Sequence, residues 1–280
     1  MKYILIILGL FSINLKAQTI LNFNKRFVEC EDQWVAFQMN KDSVYNYGFI
    51  YIDAQAGLTL NYEGSFKITP DNIFVPKKKN DSVSFKYRLS PNQVKVAIIP
   101  SSKYKELSIK RYPDWLKIYE SDTTSVARLY RWGYLYNSWD ECAKALTYLE
   151  KGQKINPKYP GLEFELAFAY NGLGQFDKAI AVLEDAIKTN PNNGYMYKEL
   201  SFAQIGLRQI EKAVLTCKKA IALCPDKSIK SEIAFNMAGY YFRLKDKENF
   251  KYWADETKKW ATTGDRFMVN INNLEAKIEQ

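Results

Sequence analysis

Proline follows asparagine at Asn156-Pro157 and again at Asn190-Pro191, and follows cysteine at Cys224-Pro225, so the chain is punctuated every thirty-four residues. Proline lacks a backbone N–H and its ring clashes with the preceding helical turn, so each of these places ends a helix. A stop at a fixed interval implies a structural unit of that length.

Aligned on the closing prolines, the blocks agree column by column. Twelve residues before the proline stands Ala145, Ala179 or Ala213, and eight before it Leu149, Leu183 or Cys217. Five before it stands Gly152, Ala186 or Ala220, and twenty-four before it Gly133, Ala167 or Ser201. Tyr136 and Tyr170 share a further column. Small residues at fixed places, with apolar ones three and four apart, describe two closely packed helices per block. In the middle block the first helix is expected from Leu162 to Gly172, with Gly172 and Gly174 ending it through positive φ. The second is expected from Phe176 to Thr189, with Ala179, Ile180, Leu183, Ala186 and Ile187 inward. A side chain larger than alanine at 179 would overpack the contact, at about 1–3 kcal/mol.

A two-helix unit of this period resembles the tetratricopeptide repeat. Ala167, Tyr170, Gly174, Phe176, Ala179, Leu183, Ala186 and Pro191 carry the resemblance, with Trp132, Gly133, Tyr136, Ala145 and Leu149 in the preceding block. The block ending at Pro225 is looser, with Gln204 and Arg208 where Tyr170 and Gly174 stand one period earlier. The reading is an all-α solenoid over 124–280. Its repeats fall at about 126–159, 160–193, 194–227 and, after a slip of about three residues, 231–263, with Ala238 and Tyr241 near the small and aromatic places. A capping helix over 265–280 follows, its Phe267, Ile271, Leu274 and Ile278 on one face to cover the last apolar surface.

The resemblance implies that the first helices of successive repeats line a concave groove. The columns facing it hold Tyr130, Phe164 and Lys198, then Tyr134, Phe168 and Phe202, then Asn137, Asn171 and Ile205. That is an aromatic ladder with two asparagines beside it. Aromatic rings give large contact area for little side-chain entropy, and asparagine amides both donate to and accept from an extended peptide backbone. The family's carboxylate clamp uses lysine and asparagine in the first two columns, where this chain has Tyr130 and Tyr134, so an apolar or aromatic peptide fits better. The competing reading is that the chain's own front half covers the ladder, since exposed apolar patches of that size are unusual.

Residues 18–120 have a different texture. "YGFIYIDAQAGLTLNYEGSFKI" reads as short apolar runs divided at Ala54-Gln55-Ala56-Gly57 and at Glu63-Gly64, and "DSVSFKYRL" and "NQVKVAII" add strand signals beside Pro91 and Pro100. Their spacing favours a small, mainly-β sandwich or barrel-like module. "YPDWLKIY" reads as a short helix after it. At the front, "MKYILIILGLFSINLKAQT" has a positive n-region at Lys2, an apolar run and the small Ala17 at a cleavage position. Residues 1–17 are therefore expected to be a secretory signal peptide, and without a cysteine near the cut the mature protein is periplasmic or secreted rather than lipid-anchored.

Export shapes the remaining inferences. The net charge of +9 falls to +7 when Lys2 and Lys16 leave. Its basic residues are interspersed with acidic ones, so nucleic acid is not an expected partner. Lys77 to Lys79 is a solvated turn or, on the sharper reading, an envelope contact. Four cysteines in an exported chain raise the question of disulfides. Cys217 and Cys224 lie about 10 Å apart along one helix, beyond bonding reach, while a bond involving Cys30, Cys142 or Cys224 stays open.

There is no histidine, which removes the commonest general base and zinc ligand. No phosphate-binding glycine loop or C-x-x-C pair is present. Glu29, Glu31 and Asp32, or Glu184 and Asp185, could in principle supply two-carboxylate hydrolysis, but adjacent acids in turns and on helices are ordinarily solvated. The expectation is a binding module with no catalytic residue, cofactor or metal. The alternative class is a β-module that stacks an envelope glycan on Trp34, Tyr45, Tyr47 and Tyr51 while the repeats support it.

Overall fold

The structure, a computed structural model, describes residues 21–77, 85–119 and 124–278. The expected signal peptide, residues 1–17, lies outside the described residues, as do Lys78 and Lys79. The chain divides into two compact units, Met1–Tyr119 and Glu120–Gln280.

The first unit is built on one antiparallel sheet of β1 (Gln33–Ala36), β2 (Tyr45–Asp53), β3 (Gly57–Ile68), β4 (Phe74–Lys77), β5 (Phe85–Arg88) and β6 (Ala97–Ile98). The strand order is β4-β3-β2-β1-β6, and β5 also pairs with β3. The β2–β3 hairpin turns at Asp53, whose carboxylate accepts from the backbone of Gln55 at 2.8 Å and Ala56 at 3.0 Å, and Gly57 takes φ +81°. Glu63-Gly64 is not a second break. β3 runs through it, and the register shift opposite, between Tyr47 and Gly48, absorbs Glu63 as a bulge. Alternation along β2 sends Tyr45, Tyr47, Phe49 and Tyr51 to one face. There they pack with Trp34, Phe66 and Phe74 under a cover that includes Leu107, Trp115 and Leu116. A 3-10 helix, Asp114–Tyr119, forms part of that cover, and the Trp34 indole fastens β1 to it by donating to the Lys110 carbonyl at 2.8 Å.

The second unit holds nine described helices: α1 (Val126–Ser138), α2 (Cys142–Ile155), α3 (Leu162–Gly172), α4 (Phe176–Thr189), α5 (Gly194–Gly206), α6 (Ile210–Leu223), α7 (Lys227–Leu244), α8 (Lys247–Trp260) and α9 (Arg266–Ile278). They pair as hairpins α1/α2, α3/α4, α5/α6 and α7/α8. The first helices also touch one another in series, α1 to α3 to α5 to α7, which makes them the inner row of a solenoid. Within each hairpin the small columns permit close approach. A Cβ on Gly133 would clash with the side chain of Leu149, and the same pair of columns holds Ser201 beside Cys217, buried at 0 %. α9 closes the array with Phe267 and Ile271 buried and Leu274 and Ile278 packed against the α7/α8 core.

Each hairpin turns through the same backbone motif. A residue at or just after the C-cap sits in the left-handed region, and the next N–H returns to the carbonyl five residues back. Those positions are Asp140 (φ +60°), Gly174 (+69°), Arg208 (+58°) and Lys245 (+57°). The returning bonds are Glu141 to Tyr136 (2.9 Å), Gln175 to Tyr170 (2.8 Å), Gln209 to Gln204 (2.8 Å) and Asp246 to Tyr241 (3.1 Å). Gly172 plays a different part from the one expected. It belongs to the last turn of α3 without positive φ, and a Cβ there would lie 2.5 Å from the Cys142 sulfur. The slip after Pro225 has a simple cause: α7 has 18 residues where α5 has 13, over one turn more before its hairpin.

All four cysteines are buried and unpaired. Burial pushes the Cys30 thiol up to about 12, and likewise that of Cys217, which the Ser201 hydrogen bond pulls the other way. They are packing residues with little thiolate.

Successive first helices are joined by a buried side-chain rung. The Asn137 amide on α1 donates to the Glu165 backbone carbonyl at 2.9 Å and to its carboxylate at 2.8 Å. One repeat later Asn171 on α3 donates to the Glu199 carbonyl at 3.0 Å and its carboxylate at 2.8 Å. At the next step both positions turn apolar together, to Ile205 and Ile233, in one buried cluster. Burial raises the Glu165 carboxyl above its ordinary range; the Asn137 bond opposes this and the Glu199 carboxylate adds to it.

Two outcomes follow from this geometry. A non-glycine residue in the left-handed region costs about 1–2 kcal/mol, partly offset by the entropy glycine loses on folding. Arg208→Gly and Lys245→Gly should each stabilise by up to about 1 kcal/mol in urea unfolding, while Gly174→Ala, which meets no atom within 4 Å, should destabilise through φ alone. For Glu165 the folded pKa is raised, so its stabilising contribution is full below the unfolded value and is lost as pH rises through the folded one. Glu165→Gln keeps the acceptor without the charge. It should therefore raise the melting temperature at neutral pH, and the difference from the native chain should shrink as the pH falls into the carboxyl range.

Candidate functional site

The inner row of first helices carries the nine residues read from the sequence, and their fates differ. On α1, Tyr130 and Tyr134 stand one turn apart with ring centroids separated by 6.5 Å, and Tyr134 is 55 % exposed. Tyr130 also meets the Tyr159 ring at 5.4 Å. Its hydroxyl occupies space left by Gly161, where a Cβ would sit 2.8 Å away. Burial raises the Tyr130 phenol, and the Glu165 carboxylate adds to that shift. On α3, Phe164 and Phe168 are half-buried one turn apart. On α5, Phe202 is 39 % exposed, its ring meeting Phe176 edge-on at 6.2 Å.

Asn137, Asn171 and Ile205 are buried. The expectation gave the two asparagines to an extended peptide backbone; the structure commits their amide donors to Glu165 and Glu199 of the following helix instead. Lys198 is not a free cation either. It pairs with Glu199 at 3.2 Å and Glu232 at 2.9 Å. Burial works against its charge, and those two carboxylates outweigh it, so its pKa rises.

The structure brings Tyr134, Asn137, Phe164, Phe168 and Lys198 together around one cavity of about 200 Å³, with Ser138, Glu165 and Glu199 completing the lining. A larger opening of about 1110 Å³ shares Phe164 and takes in Tyr130, but it reaches away along the α2–α3 connection and α4, past Pro157, Gly161, Val182 and Asn190. Asn171, Phe202 and Ile205 line neither. Among the described residues no cluster of histidine, cysteine or acidic groups is arranged to hold a metal ion.

Glu165 and Glu199 are the residues the column reading missed. Their signal was present: they lie thirty-four residues apart, opposite asparagines that also lie thirty-four apart, and both columns become isoleucine at the next step. A polar pair that disappears together marks a buried contact, since losing one partner alone leaves the other unsatisfied.

Residues 141–200 match the family model described as tetratricopeptide repeat. A comparison with curated proteins returns no match. Among solved structures, MamA from Desulfovibrio magneticus RS-1 is similar at 21% identity and a TM-score of 0.43, over 57% of this chain and 83% of that one. A thermophilic tetratricopeptide-repeat protein of Thermus thermophilus is similar at 20% identity and a TM-score of 0.47, over 57% and 85%. A tetratricopeptide repeat protein from Parabacteroides merdae ATCC 43184 is similar at 18% identity and a TM-score of 0.45, over 64% and 68%. Residues 141–200 are thus a tetratricopeptide-repeat segment, and the thirty-four-residue columns and two-helix hairpins on either side of it continue the same pattern.

Proposed function

We propose that the chain is an exported, non-catalytic scaffold that holds an extended protein segment against the inner row of its first helices. The tetratricopeptide-repeat fold is in general a protein-interaction scaffold. One observation carries the more specific reading: Tyr134 and Phe202 remain 55 % and 39 % exposed on that row, with Phe164 and Phe168 half-buried between them. Aromatic side chains left partly open at successive places along one helix row suit an apolar or aromatic partner segment. The signal-peptide pattern of residues 1–17 supports a periplasmic or secreted setting.

The glycan alternative loses the rings it called upon. Trp34, Tyr47 and Tyr51 are 3 %, 4 % and 0 % exposed, and Tyr45 stacks between Phe23 and Phe66 at 6.2 and 5.4 Å. Glu29, offered for two-carboxylate chemistry, accepts from the Arg26 backbone at 2.7 Å and is held below the ordinary carboxyl range by that bond. A depressed carboxyl is a poor general acid near neutral pH.

The test is a pair of variants, Phe168→Ala and Phe202→Ala, in the full chain. Both should abolish capture of the partner from the exported fraction while cooperative unfolding persists, with no more than a modest fall in melting temperature. Capture that survives both changes would remove the inner row as the binding surface.

A further inference from the structure

We infer that the cavity between α1, α3 and α5 receives the side chain of a lysine from the bound segment, its ammonium directed at Glu165 and its alkyl stem against the rings of Tyr134, Phe164 and Phe168. This rests on the proposed groove and names the chemistry of one position in it.

Size sets the first limit. At about 200 Å³ the cavity is below the roughly 300–1,000 Å³ of small-molecule sites, and suits one long side chain. The walls set the second: three rings offer apolar surface to a methylene stem and negative faces to a cation.

The lining decides the charge. Glu165 is 6 % exposed and lines the cavity. Its one hydrogen-bonded oxygen, Oε2, takes a neutral amide from Asn137 at 2.8 Å. The charged group acting on it is the Glu199 carboxylate, and that is repulsive. The ammonium in the lining, Lys198, already serves Glu199 and Glu232 at 3.2 and 2.9 Å. The single ammonium of the lining is thus shared by two other carboxylates, and no cation pairs with Glu165 among the described residues. Asn137 contributes a second acceptor: it is 3 % exposed, and its Oδ1 is buried without a hydrogen-bond partner among the described residues.

An apolar side chain would leave both acceptors unmet, and a carboxylate would add repulsion to desolvation. Two acceptors on separate groups suit the rotatable donors of an ammonium better than the planar fork of a guanidinium, which favours one bidentate carboxylate.

Three blocked tripeptides, phenylalanine-X-phenylalanine with X as lysine, norleucine or glutamate, are titrated into the full chain and followed by ring-proton NMR. The lysine peptide should bind about tenfold more tightly than norleucine, and glutamate most weakly. Glu165→Gln should erase the lysine advantage while the norleucine peptide binds at least as tightly as it does to the native chain, which also shows the variant is folded. Equal lysine and norleucine affinity for the native chain, both weakened by Phe168→Ala, overturns the lysine assignment and leaves the groove standing. Failure of all three peptides to bind, or binding indifferent to both substitutions, overturns the assignment and the groove together.

Discussion

The amide of one buried asparagine reaching the next repeat's glutamate is the contact on which the helical unit's inner surface depends. Asn137 and Asn171 each bind a backbone carbonyl and a carboxylate of the following first helix. Because a donor buried without a partner costs about 1–3 kcal/mol, the rung tolerates little sliding between helices. Apolar contact alone is non-directional and would permit more. The rungs thereby fix which residues of α1 face which residues of α3 and α5, and so bring Tyr134, Phe164 and Phe168 to one cavity. Where the array passes from α5 to α7 the rung gives way to Ile205 and Ile233, and packing takes over.

Around that row, the hairpins are held by shape. Gly133 admits Leu149, Gly206 admits the Phe176 ring, and Gly172 admits the Cys142 sulfur, each at a distance no Cβ would allow. Lysines one period apart, Lys144 and Lys178, lie over the rings of Tyr136 and Tyr170 at 4.3 and 5.3 Å. Interactions of the same kind thus recur at the same columns, as expected when each unit is stable only through its neighbours. The series ends where α9 covers the α7/α8 core with Phe267 and Ile271.

Helix limits were legible because proline and glycine act locally, and α3 and α4 begin and end at the residues the sequence indicated. The hairpin turns were legible only at Gly174. At Arg208 and Lys245 the repeat imposes the left-handed backbone on residues whose own preference is otherwise, so local chemistry gives no sign of it, while Asp140 is of a type that tolerates that backbone without announcing it. Glu63-Gly64 misled for the converse reason: pairing on both sides of β3 carries the strand through a turn-like dipeptide. In the site, aromatic columns could be read from spacing, but side-chain commitment could not. Asn137 and Asn171 looked like ligand donors until their partners 28 residues on were known. The tyrosines of β2 and Trp34 look the same in sequence whether they face a sugar or a core. Their burial is decided by residues 101–119, distant in the chain.

The most direct measurement is a double-mutant cycle on one rung, using the replacement the chain itself adopts one step later: Asn171→Ile, Glu199→Ile and the two combined, each followed by urea unfolding. If the rung is a mutually satisfying buried pair, either single change should cost about 1–3 kcal/mol, and the double variant should recover most of the loss. Losses that simply add in the double variant would contradict the account, because the two residues would then be contributing independently.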